Sequence, residues 1–143
     1  MVPPHVLLIE DETLDIELIR EGLLAVRPDL TLTVTRRGVR GLERAQREHP
    51  DLILLDLALP DLNGLNVLTA LKASSWTRYI PVLVLTNHAQ EDTIWRSYHE
   101  YASAVLVKPT KTADFLNLLR TTCAFWFSAA ALQGRLPSGC RPA

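Results

Sequence analysis

Four runs of apolar residues, with little or no polar alternation, predict β-strands that are buried on both faces. They lie at residues 6–9, 52–55, 80–86 and 104–107. A fifth segment, residues 30–35, alternates apolar and polar positions, which predicts an edge strand with one face toward solvent. Strands of the first kind are typical of parallel sheets that carry helices on both sides.

The segments between these runs predict five helices, at residues 13–26, 36–49, 65–72, 91–101 and 112–127. In the first helix Asp15 and Glu17 are assigned to the polar face, and in the second Val39 and Ala45 are assigned to the core face. Five strands that alternate with five helices predict a parallel sheet with right-handed crossovers. We therefore expect an α/β, flavodoxin-like (βα)5 fold with strand order 2-1-3-4-5, in which the amphipathic second strand lies at an edge.

Polar side chains mark the carboxyl ends of four of these strands. Glu10 and Asp11 follow the first strand, Asp56 closes the third, and Thr86 and Lys108 end the fourth and fifth. Because strands 1 and 3 are neighbours in the predicted order, with the topological switch point between them, we expect the three carboxylates to converge in one crevice. Taken by itself, Asp56 is equally compatible with a residue that ends its strand and caps a turn.

The predicted crevice concentrates negative charge, which indicates a particular chemistry. Three carboxylates within a few ångströms repel one another unless some are protonated or a cation joins them. A hard divalent ion such as Mg²⁺ prefers carboxylate and water oxygens. Together with the Lys108 ammonium and the Thr86 hydroxyl, such a site can stabilise a phosphoryl group during transfer. Asp56 would then be the nucleophile and would form an aspartyl phosphate.

Composition and charge narrow the class of protein further. The 143 residues are enough for one domain with a core, predicted here for residues 5–127. Residues 128–143 predict a C-terminal tail, because they contain glycine and proline and are too few for a DNA-binding output domain. The net charge of -1 gives no field that favours nucleic acid.

Neither a membrane span nor a secretory signal is predicted. The apolar runs are too short to cross a bilayer, and the first residues lack a basic segment followed by a long apolar one. Cys123 and Cys140 make no disulfide framework, and no cluster of cysteine and histidine has zinc spacing. We therefore expect a cytoplasmic protein.

Over about residues 5–127 the chain resembles the response regulator receiver domains of two-component signalling. The resemblance rests on LIED at residues 8–11, LLDLALP at 54–60 with Gly64, VLT at 84–86 and VKP at 107–109. It implies a phosphoacceptor switch, not an enzyme with a separate substrate, in which Asp56 accepts the phosphoryl group from a kinase histidine. Thr86 and Lys108 would contact that group, and the peptide bond before Pro109 would be cis. The implied Mg²⁺ ligands are Glu10, Asp11, Asp56 and the backbone carbonyl of Ala58.

A closer resemblance covers residues 91–98 and 125–132, which are similar to stand-alone regulators that pair with bacterial phytochromes. It implies a light-regulated histidine kinase as the phosphodonor. One position departs from the family: three residues before the lysine, where an aromatic ring often reports phosphorylation, this chain has Val105.

Aromatic residues toward the end of the chain predict the output surface. They occur at roughly helical spacing on the fourth helix and extend the fifth: Trp95, Tyr98, Tyr101, Trp126 and Phe127. We expect a homodimer through helix 4, strand 5 and helix 5, since aromatic residues are enriched at protein interfaces. The alternative is that these rings only cover the sheet.

Two other functions use similar residues. A Mg²⁺-dependent phosphatase of the haloacid type needs a second aspartate two positions after the nucleophile, where this chain has Ala58. A phosphorylation-independent pseudo-receiver, acting as a dimeric interaction module, would not need the complete set of polar residues at the strand ends. Both hypotheses are less favoured than the phosphoacceptor switch.

Overall fold

The computed structural model describes residues 3–87 and 90–128. Five strands alternate with five helices along this part of the chain, as predicted. The strands are β1 (His5–Ile9), β2 (Thr31–Thr35), β3 (Leu52–Asp56), β4 (Val82–Thr86) and β5 (Ala104–Val107). The helices are α1 (Thr13–Val26), α2 (Gly38–Glu48), α3 (Gly64–Ala73), α4 (Glu91–His99) and α5 (Thr112–Ser128).

The strands form one parallel sheet in the order β2-β1-β3-β4-β5, which confirms the predicted topology. Its register places the carboxyl ends side by side, since Ile9 pairs with Leu55 and Thr86 pairs with Val107. The residues at or just after these ends therefore share one edge of the sheet. This alignment is what brings together side chains that are far apart in sequence.

Each face of the sheet has its own hydrophobic core. On one face, alternate strand residues such as Leu8 and Leu54 pack with α1 and α5. On the other face, the intervening residues, including Leu7 and Leu55, pack with α2 and α3. Because both faces are covered, a polar side chain in the middle of β1 or β3 would be buried among apolar residues without a hydrogen-bonding partner, which explains the apolar runs at residues 6–9 and 52–55.

The predicted core face of α2 is wrong in part. Val39 is about half exposed, whereas Gly38, Gly41 and Ala45 are the buried residues of this helix. The close approach of α2 to the sheet explains the difference: a Cβ atom on Gly41 would collide with the Ile9 side chain. Small residues, not the branched one, therefore form the contact.

Two further predictions concern the C-terminal tail and the absence of a membrane span. The tail predicted for residues 128–143 lies, apart from Ser128 at the end of α5, outside the described residues. None of the helices in the described part of the chain has both the length and the apolar character needed to cross a bilayer.

Lys72, in the last turn of α3, is partly buried and has no carboxylate partner among the described residues. Its ammonium donates to the carbonyl oxygens of Ile80 and Arg78, at 2.6 and 3.1 Å. Burial lowers the pKa of Lys72 from its usual value to about 8. Between that value and 10.5 the unfolded chain binds more protons here than the native protein does, so stability rises with pH across this window.

We expect Lys72→Met to remove this pH dependence, because methionine keeps the aliphatic stem but does not titrate. From pH 7 to pH 9.5 the unfolding free energy of the wild type should gain about 1–2 kcal/mol relative to that of the variant. Urea unfolding of both proteins at several pH values measures this difference. A difference that is flat, or that falls as the pH rises, contradicts the assignment.

Candidate functional site

Three carboxylates meet at the carboxyl edge of the sheet. Asp56 is the last residue of β3, and Glu10 and Asp11 directly follow the neighbouring strand β1. One carboxylate oxygen from each of the three residues lies within 4.8 Å of the other two. The Glu10 carboxylate is fully buried and accepts a 3.1 Å hydrogen bond from the backbone N–H of Asp11. The predicted convergence of the acidic residues is therefore observed.

Lys108 brings a buried ammonium to this cluster. The backbone of Lys108 is fixed to the end of β4, because its N–H donates to the Thr86 carbonyl oxygen at 2.8 Å. The ammonium lies 2.6 Å from Glu10 Oε1, 2.8 Å from Asp15 Oδ2 and 3.6 Å from Asp56 Oδ1. With 3% of its side chain exposed, Lys108 is held by these carboxylates and not by water.

The site holds more negative charge than one ammonium can neutralise. Burial raises the pKa of Glu10 to about 8, and the nearby Asp56 carboxyl adds to this shift, although Lys108 opposes it. Burial also lowers the pKa of Lys108, but the hydrogen bonds from its ammonium to Asp15 and Glu10 outweigh that effect and the pKa lies above its usual value. A divalent cation would relieve the remaining repulsion.

The donor set fits such a cation. Carboxylate oxygens are the ligands that hard ions such as Mg²⁺ and Mn²⁺ take in proteins, with water completing the shell. Glu10, Asp11 and Asp56 supply these oxygens, and the Ala58 backbone lies close by, since its N–H is 3.4 Å from Asp56 Oδ1. The three side chains could therefore hold one such ion between them.

A cavity of about 270 Å³ opens beside Asp56 and gives access to it from solvent. Its walls come from the β3–α3 loop, from the end of β4 and from α4. The lining includes Ala58, Thr86, Thr93 and Arg96. A reactive group could thus approach the Asp56 carboxylate from the side that carries Thr86.

Comparison with known proteins decides the family. The sequence profile described as the response regulator receiver domain matches residues 6–120. The chain belongs to this family. Receiver domains are phosphoacceptor switches that interact with histidine kinases and bind divalent metal ions.

Individual relatives agree with this assignment. Response regulator Rcp1 of Synechocystis sp. is 31% identical over 137 residues, which cover 91% of this chain and 93% of that protein. The polar-differentiation response regulator DivK of Brucella ovis is 33% identical over 116 residues, covering 81% and 93% of the two chains.

Solved structures of other response regulators are also similar to this chain. The phosphorylated cyanobacterial phytochrome response regulator RcpA has a TM-score of 0.85 and 31% identity, and the match covers 92% of this chain and 99% of that one. The Mn²⁺-bound form of Rcp1 gives a TM-score of 0.85 with 32% identity, over 91% and 99% of the chains.

Several residues around the site are not predicted from the sequence, and Asp15 and Arg96 are two of them. Asp15 was assigned to the polar face of the first helix, yet it contacts Lys108. Arg96 was noted only within the phytochrome-type resemblance, yet it lines the cavity beside Asp56. The sequence does contain a clue to Asp15. It lies in the first turn of α1, and this helix must begin at the edge of the sheet that carries Glu10.

The cis peptide bond expected before Pro109 is wrong: no cis peptide occurs among the described residues. The trans form is the one that an X–Pro bond favours, by about 0.5–1 kcal/mol.

The aromatic residues predicted for the output surface divide into two groups. Trp95, Tyr98 and Tyr101 are 62%, 49% and 75% exposed. Trp126 and Phe127 are partly buried and pack against the core on the α1–α5 face. Of the five predicted rings, the exposed ones therefore lie on α4 and in the turn after it, while Trp126 and Phe127 contribute at least part of their area to the fold. Helix α5 also carries an exposed ring that was not predicted, Phe125, at 54%.

Proposed function

We propose that this protein is a single-domain response regulator that accepts a phosphoryl group on Asp56 from a histidine kinase, with Mg²⁺ as the bound ion. The observation that supports this most directly is the geometry around Asp56: this residue lines a cavity, with Lys108 at 3.6 Å and two further carboxylates in metal-binding range. The exchange would take place in the cytoplasm, where the chain would act as a switch and not as an enzyme of general turnover.

The chemistry follows from the positions of the side chains. A carboxylate oxygen of Asp56 attacks the phosphorus of a phosphohistidine, so that a P–O bond forms while the P–N bond breaks and its electron pair returns to the imidazole. Bound Mg²⁺ would supply charge neutralisation to the transferring oxygens. Lys108 offers a positive charge 3.6 Å from Asp56 Oδ1, and Thr86 offers a hydroxyl at the cavity wall.

We further propose that the phosphodonor is a light-regulated kinase of the bacterial phytochrome type. The support is the similarity to Rcp1 and to the phytochrome response regulator RcpA along almost the whole chain. Phosphotransfer from a panel of purified kinases tests this: a phytochrome kinase should label Asp56 faster than kinases of other sensor classes.

The general proposal is tested without any kinase. The protein is incubated with acetyl phosphate and Mg²⁺ and its intact mass is recorded over time. An adduct of one phosphoryl group supports the switch. Absence of an adduct supports the pseudo-receiver, and steady release of phosphate from simple esters supports the phosphatase.

We also propose a homodimer through α4, β5 and α5. The α4 side presents the exposed rings of Trp95 and Tyr98, and the Tyr98 hydroxyl accepts a 3.2 Å hydrogen bond from the backbone N–H of Val105 in β5. Aromatic side chains that are anchored in this way lose little conformational freedom on association.

Trp95→Ala should weaken the dimer by about tenfold or more, as expected for a large aromatic residue in an interface centre. Trp76→Ala is the matched control, because Trp76 is 46% exposed but lies in the α3–β4 loop. Sedimentation velocity over a dilution series measures both. A wild type that stays monomeric at every concentration, with and without phosphorylation, contradicts the dimer.

A further inference from the structure

The Lys108 ammonium is shared unequally among its acidic neighbours. It makes hydrogen bonds to Glu10 and Asp15, at 2.6 and 2.8 Å. Asp56 lies at 3.6 Å, beyond the range of a hydrogen bond. An ammonium has three donors, and two of them here point at carboxylates other than the phosphoacceptor.

Asp15 stands apart from the other acidic residues. Glu10, Asp11 and Asp56 form the group whose oxygens could share a cation, and Asp15 is not a member of it. It projects from the first turn of α1, with 19% of its side chain exposed, and its carboxylate meets Lys108 from the helix side. Its contact with the site is made through the ammonium.

We propose that Asp15 is a positioning residue that holds the Lys108 ammonium on the α1 side of the site and thereby slows phosphoryl transfer to Asp56. This inference rests on the proposed function, since it concerns the same reaction. Productive transfer needs the ammonium at the phosphoryl oxygens, so Lys108 must weaken its bond to Asp15 before it can stabilise the transition state. The Asp15 carboxylate also repels the anionic donor as it approaches.

Asp15→Asn removes the charge and keeps the shape of the side chain. At saturating Mg²⁺ we expect the rate of phosphoryl uptake from acetyl phosphate to rise roughly three- to tenfold, because Lys108 is released toward Asp56. Mg²⁺ binding, measured by calorimetry without any phosphodonor, should weaken about two- to fivefold, because one nearby negative charge is lost.

Faster phosphoryl uptake together with weaker Mg²⁺ binding would distinguish a positioning role of Asp15 from a merely structural one. Asp15 also lies in the first turn of a helix, where a carboxylate favours the helix dipole, and loss of that effect alone would lower stability without accelerating uptake. Asp15→Glu keeps the charge and should restore the slow rate. Glu17→Gln is the control. It removes a carboxylate two residues further along α1, where Glu17 pairs with Arg20, and it should leave both measurements within twofold of wild type.

The outcomes distinguish this inference from the proposal on which it rests. If the wild type takes up no phosphoryl group, or if uptake persists without Asp56, the proposed function fails. If the wild type is phosphorylated on Asp56 but Asp15→Asn reacts at the wild-type rate or more slowly, the positioning role is overturned and the proposed function stands. Faster uptake together with weaker Mg²⁺ binding, reversed in Asp15→Glu, supports it.

Discussion

Asp56→Asn is expected to abolish phosphoryl uptake from acetyl phosphate, with a loss of about a thousandfold or more. Asparagine has nearly the shape of aspartate, but its amide is not a nucleophile and carries no charge for a metal ion. Glu10 does not offer a second route, because it is fully buried and already bonded to Lys108. Intact mass spectrometry with Mg²⁺ present measures the adduct directly.

Loss of uptake in this variant should not come from loss of the fold. The Asp56 carboxyl raises the pKa of its neighbour Glu10, so the substitution removes a repulsive contact from a crowded site. We therefore expect its unfolding free energy without metal to equal or exceed that of the wild type. Asp114→Asn, at an exposed position in the first turn of α5, is the control and should take up phosphate normally. An adduct of undiminished intensity in Asp56→Asn would place the phosphoacceptor elsewhere.

The strand-end residues could be predicted from sequence because their location depends on topology alone. Once the order of strands is known, Glu10, Asp56, Thr86 and Lys108 must share an edge, whatever the details of packing. The apolar runs that predict the strands also do not depend on the details of packing, since both faces of the sheet are covered.

Residues contributed by helices were less predictable. Asp15 could face solvent or Lys108, depending on how far α1 is rotated about its axis, and a broad apolar stripe does not fix that rotation closely. Val39 shows the same limit, because Gly41 and not the branched residue of α2 faces the sheet. The depth to which a helix approaches a sheet is decided by packing, which periodicity does not encode.

Gly64 is constrained both by the path of the chain after β3 and by close packing. It is the first residue of α3 and its backbone N–H donates to the Leu57 carbonyl oxygen at 3.0 Å, which closes the loop that follows Asp56. A Cβ atom at this position would lie 2.5 Å from Leu57 Cα and 2.6 Å from the Asp56 carbonyl oxygen. Both are backbone atoms of the segment that carries the phosphoacceptor, so no side-chain rotation can make room.

Gly64→Ala should therefore destabilise the protein by about 2–3 kcal/mol and slow phosphoryl uptake, because the Asp56–Leu57 backbone must shift. Gly41→Ala is the comparison: it is also a helical glycine with a close approach, but its Cβ would collide with the Ile9 side chain and not with backbone atoms. The difference between the two variants therefore separates a collision with the backbone from a collision with a side chain, which can shift. Urea unfolding and the acetyl phosphate assay measure it. If Gly64→Ala were as stable and as reactive as Gly41→Ala, the β3–α3 loop would not be fixed against Asp56, and the position of the phosphoacceptor would have to depend on the metal site alone.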